Sequence, residues 1–276
     1  MNDPSARRAA QLPLAARLSG RWSGFYALNV YQPAALLARA WRRSGRRLRG
    51  KATNDKPTRL AQVPWSAAFE RHRLVLTDLG KQDGNVSIGE LAVLAQAAAG
   101  ISPGSEIIEI GTFDGRTCLN LALNAPPTSP IFTIDLPPDH PTRFQLEPSE
   151  GRYVDKPHPG SRLRQCAPAF AGLSQRITQF LGDSATFDWS SHHRKAGLVF
   201  VDGSHAYDYV RSDSTTAMRL VGANGMILWH DYGVWDEVTR ALEDLEQALN
   251  LGLRHIRGTS LVLWRAPADH PSGQAA

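Results

Sequence analysis

The sequence predicts an α/β fold built on an open, mostly parallel sheet, and three observations carry that reading. Short apolar runs at residues 107–110, 131–134, 177–181, 198–201 and 226–229 have the length and content of strands, and 198–201 is apolar throughout, as in a strand buried on both faces. Between the last two lies a helix-period segment with Val210, Ala217, Met218 and Val221 on one face, which makes a strand–crossover–strand unit. Four of the strand ends carry acids: Asp135, Asp183, Asp202 and Asp231. Open parallel sheets bind ligands at that edge.

Composition sets the outer limits. The chain has 276 residues, 42% of them hydrophobic, enough for one large domain or two small ones. It has no run of 18 apolar residues and no apolar secretory core at its N-terminus, so a cytoplasmic protein without a membrane span is expected. Two distant cysteines, Cys118 and Cys166, argue against a disulfide framework or a zinc site, and Cys118 reads as core. The net charge of +5 is uneven: residues 1–60 hold 13 Lys and Arg against 2 Asp and Glu. The remainder is therefore acidic, and whole-chain basicity is no argument for nucleic acid; no specific nucleic-acid signature accompanies the arginines.

Taken in order, residues 1–60 form a basic extension, and the folded domain is expected over 61–276. Aromatics between Trp22 and Trp41 precede Arg42, Arg43, Arg46, Arg47, Arg49 and Lys51. The segment is either a solvated tail or a peripheral anchor to an anionic membrane surface. Ser87-Ile-Gly-Glu90 is a capping box before the apolar stretch 91–99, and Gly100 stops that helix. Glu109-Ile-Gly111-Thr112-Phe113-Asp114-Gly115 then joins the first long strand to a helix over 116–124; Asp114 reads as its N-cap. A glycine turn at a helix N-terminus brings backbone donors close to a ligand. The pattern lacks the first glycine pair of the dinucleotide fingerprint, which disfavours a nicotinamide-dependent oxidoreductase. Asp135 follows Gly111 by 24 residues, where an acid reaches a ribose diol. Gly182-Asp183-Ser184 ends the next strand. A helix over 234–250 carries Val238, Leu242, Leu245 and Leu249 on one face, and residues 253–257 and 260–264 make an antiparallel pair across Gly258-Thr259.

These motifs together resemble the class I S-adenosylmethionine-dependent methyltransferases, and within them the small-molecule O-methyltransferases with a DGSH motif, among which are macrolide sugar O-methyltransferases and cephalosporin hydroxylase-like proteins. The resemblance spans residues 85–265. It implies a Rossmann-like, seven-stranded sheet in the order 3-2-1-4-5-7-6 with only strand 7 antiparallel and helices on both faces. It implies that Glu109 and the turn Gly111, Thr112, Phe113, Asp114, Gly115 hold the methionine part of S-adenosylmethionine. Asp135 would bind the ribose, Asp183 and Ser184 the adenine, and Asp202 would lie near the methyl group. It implies His205 as general base, with Asp202 and Asp231 as ligands of a divalent cation such as Mg²⁺. Tyr232 stands where metal-dependent relatives have Asn, which leaves the third ligand unassigned. A homodimer is common in such folds.

The chemistry of the residues agrees. A hydroxyl attacking a sulfonium methyl must shed a proton, and either a histidine near neutral pKa takes it or a cation on hard carboxylates lowers the hydroxyl's pKa. His205 follows Asp202 by three residues, and His230 adjoins Asp231 but reads as structural. Residues 136–173 are long for a connection and hold seven of the chain's 18 prolines. They form either a solvated excursion or a lid over a small-molecule or glycan acceptor, with Arg143, Arg152, Lys156, Arg162 and Arg164 offered to an anionic one. A non-catalytic protein of the same fold is the competing class.

Overall fold

Apolar runs that must hide both faces assemble into the centre of a sheet, and the computed structural model, which describes residues 27–28, 58–77, 84–154, 159–165 and 171–270, does this with eight strands. They are β1 (Ala61–Val63), β2 (Glu106–Ile110), β3 (Ile131–Asp135), β4 (Ile177–Leu181), β5 (Ala196–Val201), β6 (Val221–Trp229), β7 (Arg254–Ile256) and β8 (Val262–Arg265). Their order is β1-β7-β8-β6-β5-β2-β3-β4, and β8 alone runs antiparallel to its neighbours. Without β1 this is the expected order 3-2-1-4-5-7-6. The eighth strand is an addition: three residues, Ala-Gln-Val, pair in parallel with β7 at the sheet edge. So short and exposed a strand has no apolar run to announce it.

Alternation along the strands sends side chains to two cores. Ile107, Leu198, Phe200, Met226 and Leu228 pack against helices α1 (Ile88–Ala99) and α2 (Arg116–Asn124). Ile108, Ile110, Val199, Val201, Ile227 and Trp229 pack against α3 (Tyr207–Leu220) and α4 (Asp236–Leu249). Each large aliphatic side chain buried this way contributes about 1.5–3 kcal/mol, which is why β5 and β6 sit at the centre. Ala27 and Leu28 of the N-terminal extension are buried in the first core. The basic segment 41–51 lies outside the described residues.

Two boundaries differ from the sequence reading. β6 starts at Val221, which caps α3 and opens the strand instead of ending the helical face. Gly222 and Gly225 are inside β6 because a Cβ there would meet the Arg194 and Ala196 carbonyls at 2.8 and 2.7 Å. The capping box is present as expected: Ser87 Oγ accepts the Glu90 amide at 3.3 Å, and Glu90 Oε2 accepts the Ser87 amide at 2.8 Å.

The connection from β3 to β4 does not stay in solvent. Single helical turns at Gly151–Val154, Ser161–Arg164 and Ala171–Ser174 punctuate it. It crosses the C-terminal edge of the sheet, donating Arg143 N–H to Asp183 Oδ2 (2.8 Å) and Gly160 N–H to the Phe113 carbonyl (2.7 Å). Lys156 and Cys166 lie outside the described residues; Cys118 is a buried free thiol on α2.

Candidate active site

The site begins where β2 ends. Gly111 has φ +100°, and a Cβ on it would lie 2.0 Å from the Asp202 carbonyl oxygen. The Asp202 amide donates to the Ile110 carbonyl at 2.8 Å, so the glycine turn and the acidic end of β5 share one wall. The turn is left-handed at Gly111, Phe113 and Gly115, and Gly115 is the N-cap residue of α2. Asp114 therefore is not the N-cap, but its Oδ1 accepts the Arg116 amide at 2.9 Å. Its Oδ2 takes Asn85 Nδ2 at 3.0 Å and Arg162 Nε at 2.8 Å. That ion pair commits Arg162 to holding the insertion down. Arg143 and Arg152 stack over Phe144 and Tyr153, and none of the insertion's arginines lines the cavity at the strand ends.

Glu109 is fully buried; burial and the neighbouring Asp202 and Asp135 push its carboxyl well above the usual range, against the Thr133 hydroxyl that donates to it at 2.7 Å. The Thr112 and Thr133 hydroxyls meet at 2.6 Å. Asp135 is buried at the end of β3. Asp183 accepts Arg143 N–H and, through Oδ1, the Ala185 amide at 3.0 Å, so its carboxylate staples the insertion to the end of β4. Ser184 gives its carbonyl to Trp189 Nε1 at 3.2 Å. Behind them Asp213 of α3 is buried with Oδ1 unbonded, and desolvation with the nearby Asp183 pushes it up to about 7 against a Ser184 hydrogen bond.

The second half of the site gathers at the ends of β5 and β6. His230 Nδ1 donates to Asp202 Oδ1 at 2.8 Å and lies 3.3 Å from Asp231 Oδ1, while its Nε2 is 3.6 Å from Glu90 Oε2. His205 Nε2 donates to Asp231 Oδ2 at 2.9 Å, and its Nδ1 to Glu150 Oε2 at 2.8 Å. The indole of Trp235 stacks on the His205 ring at 4.1 Å and 10°. Asp231 reaches both histidines because its backbone is left-handed, φ 65°, a conformation that Asp tolerates better than most residues.

Charge follows contact. Burial opposes the imidazolium of His205, but Asp231 and Glu150 outweigh it and push the ring up to about 9. Burial likewise opposes charge on His230, and Asp202 and Asp231 hold it well above its ordinary value. Asp231 is held below the carboxylate range because His230 and His205 outweigh its desolvation; Asp202 is raised, chiefly by burial. Glu90 and Glu150 are buried too, and both are lowered by the bonds they accept. At neutral pH two imidazoliums thus sit among four acidic side chains.

The two strand ends place Asp202, His205, His230 and Asp231 near one spot, and in the structure all four meet there. His230 reads from the sequence as structural, yet it stands between the two aspartates, and Asp202, His230 and Asp231 offer donor atoms within 4.8 Å of one another. Tyr232 is not the third donor: it is turned into the core, where its hydroxyl accepts the Leu60 amide at 3.0 Å and donates to Glu243 at 2.9 Å. Glu90 was legible only as a capping residue; its Oε1 also accepts the amide and hydroxyl of Ser260 (2.7 and 2.8 Å). Glu150 had no signal beyond lying in the insertion. A cavity of about 20 Å³, the size of one water or ion, is lined by Asp202, His205, His230 and Asp231.

A family model described as a methyltransferase domain matches residues 108–232, the stretch from β2 through the end of β6 that builds this site. The match covers less than half of the chain and agrees, together with the strand order, with the class I S-adenosylmethionine-dependent methyltransferase fold that the motifs imply. Similar solved structures include the O-methyltransferase TomG from Streptomyces achromogenes, involved in tomaymycin synthesis and seen with its methyl donor. It is 18% identical over 67% of this chain and 82% of that one, with a TM-score of 0.47. Another is the Podospora anserina methyltransferase PaMTH1 bound to S-adenosylhomocysteine, 18% identical over 68% of this chain and 81% of that one, TM-score 0.49. No curated protein matches the chain in sequence. Among the described residues no helix is long and apolar enough to cross a membrane.

Proposed function

We propose that the protein transfers the methyl group of S-adenosylmethionine to a hydroxyl of a small molecule, a sugar, glycan or secondary metabolite, within a catalytic domain over residues 61–276. One observation carries the reading: the glycine turn and the acid–histidine cluster are built back to back, with Gly111 against the Asp202 carbonyl. A donor held by the turn and an acceptor held by the cluster therefore meet at one place, which is the positioning that a displacement reaction needs.

The residues fit the donor. The left-handed turn Gly111–Gly115 leads into the N-terminus of α2, where backbone amides suit a polar ligand, and Asp135 brings a buried carboxylate to the end of β3, suited to a ribose diol. They also fit a divalent cation, since two carboxylates and an imidazole converge beside an ion-sized cavity. When bound there, such a cation would lower the pKa of the acceptor hydroxyl and draw the charge of Asp231 away from His205.

The chain's own part is proton management. In this reading the acceptor's proton passes to His205 Nε2 as the oxygen attacks the methyl carbon and the sulfonium leaves as a neutral thioether. The ring must be free of its Nε2 proton first, because an imidazolium paired with Asp231 and Glu150 cannot accept another. Trp235 holds the ring plane and shields it from water.

The test has two arms. Calorimetry should show S-adenosylhomocysteine binding and no NAD⁺ binding; the reverse removes the donor assignment. Against a panel of hydroxylated acceptors, turnover in EDTA should rise with pH through about 9, where His205 loses its proton. Added Mg²⁺ should raise turnover and shift that profile down. A profile that falls as pH rises towards 9 would exclude His205 as the base.

A further inference from the structure

We propose that Glu150, carried by the β3–β4 insertion, is the positioning residue for His205, so that the histidine takes its working orientation only with the insertion seated. The inference rests on the reading of His205 as the base, and it adds where that base gets its geometry.

Glu150 lies on a surface connection, yet it is 2% exposed. Its Oε1 accepts the Ser204 hydroxyl at 2.5 Å and the Glu147 amide at 3.0 Å. Its Oε2 accepts both the backbone amide of His205, at 2.7 Å, and the ring Nδ1–H, at 2.8 Å. A buried carboxylate is tolerated when donors surround it, and here three of the four donors belong to two successive residues of the VDGSH loop. The amide bond fixes where His205 starts, and the Nδ1 bond fixes how its ring turns. With Nδ1 committed, Nε2 is the nitrogen that faces Asp231 and the cavity. A carboxylate that holds one imidazole nitrogen determines the tautomer and direction of the other. Trp235 restricts the ring to a plane but leaves rotation within it free, so the stack alone cannot do this.

The insertion does not need Glu150 to stay in place. Arg143 on Asp183, Gly160 on Phe113 and Arg162 on Asp114 anchor it on both sides. Buried, four-fold bonded and dispensable as an anchor, Glu150 is better placed to hold His205 than to hold its own loop.

The experiment compares wild type with Glu150→Gln and Glu150→Asp. Gln keeps the size and one acceptor oxygen; Asp keeps the charge and is one methylene shorter. Three readouts are taken: side-chain ¹⁵N NMR of His205 at a pH above about 9, where the ring is neutral and has a tautomer, amide exchange over residues 137–165, and S-adenosylhomocysteine affinity. In wild type the Nδ1 signal should report a fixed, hydrogen-bonded N–H. In Glu150→Gln the two ring nitrogens should move towards averaged tautomer values. Exchange protection near Arg143, Gly160 and Arg162 should stay, and affinity should change less than about twofold, as for loss of an orienting partner away from the donor. Asp should give an intermediate ring signal. On an acceptor that turns over, kcat should fall about 10–100-fold with KM nearly kept.

Unchanged His205 ring signals in Glu150→Gln would overturn the proposal. So would ring changes accompanied by lost protection across the whole insertion, since Glu150 would then be an anchor only. Failure of the underlying reading looks different: His205→Ala with full turnover removes the histidine from the chemistry while the Glu150 contact persists in the spectra.

Discussion

The two halves of the site are made in opposite ways. On the donor side, residues 109–115 lie consecutively on one strand end and one turn, and their job is done by backbone shape: φ +100° at Gly111 and +90° at Gly115, with room for no Cβ at either. On the acceptor side, Glu90, Glu150, Asp202, His205, His230 and Asp231 come from four separate segments, and their job is done by mutual charge. Steric requirements over seven residues leave a motif. Charges that meet only after folding leave single letters that look like any surface acid or histidine.

Four substitutions break or sharpen that contrast. The largest effect should come from the backbone half. Gly111→Ala puts a methyl into the Asp202 carbonyl and an alanine at a left-handed φ, so a loss of more than about 3 kcal/mol is expected in denaturant unfolding, or failure to fold. A stable Gly111→Ala protein with normal donor binding would mean that the turn is less constrained than its geometry indicates. His205→Ala leaves the backbone alone and should cut turnover about 10²–10⁴-fold while S-adenosylhomocysteine affinity is kept, which confines the charge half to chemistry.

Asp213 tests whether charge matters on the donor side as well. Its folded pKa of about 7 lies above the unfolded value of 3.8, so the folded state holds a proton that the unfolded state has lost. Its contribution is therefore fully present below pH 3.8 and is lost as pH rises through about 7. The difference corresponds to about 4 kcal/mol. Asp213→Asn should remove that slope and leave a protein more stable than wild type at pH 8, measured by urea unfolding at several pH values. An unchanged slope would place the acid's titration elsewhere. The smallest effect is Asp135→Ala, expected to weaken S-adenosylmethionine binding by about 1–3 kcal/mol through lost hydrogen bonds to the ribose; equal affinity in calorimetry would take Asp135 out of the donor site.

Much of the architecture could be read in advance because it rests on local rules. The span of α2, the whole of β4 and the Ser87–Glu90 box follow from apolar period, strand length and capping chemistry. β1 could not be read, because it is three residues long, with Ala61 and Gln62 exposed and only Val63 packed on the core, so its pairing with β7 leaves no apolar run in the sequence. The fate of residues 136–173 was equally hidden. Prolines announced an irregular path, but only packing decided that Leu163 would cover Gly115 and Glu150 would reach His205.

What the sequence by itself determined is the parallel sheet, its acidic edge and the glycine turn, since each depends on residues adjacent in the chain. What only the tertiary structure decided is the charge state of that edge. His230 reads from the sequence as a structural residue near Asp202, but only packing sets its Nδ1 2.8 Å from Asp202, and Glu90 was a helix cap until α1 docked beside β6. A histidine's pKa depends on which carboxylates burial places against it, and burial is a property of the packed molecule rather than of any stretch of its chain.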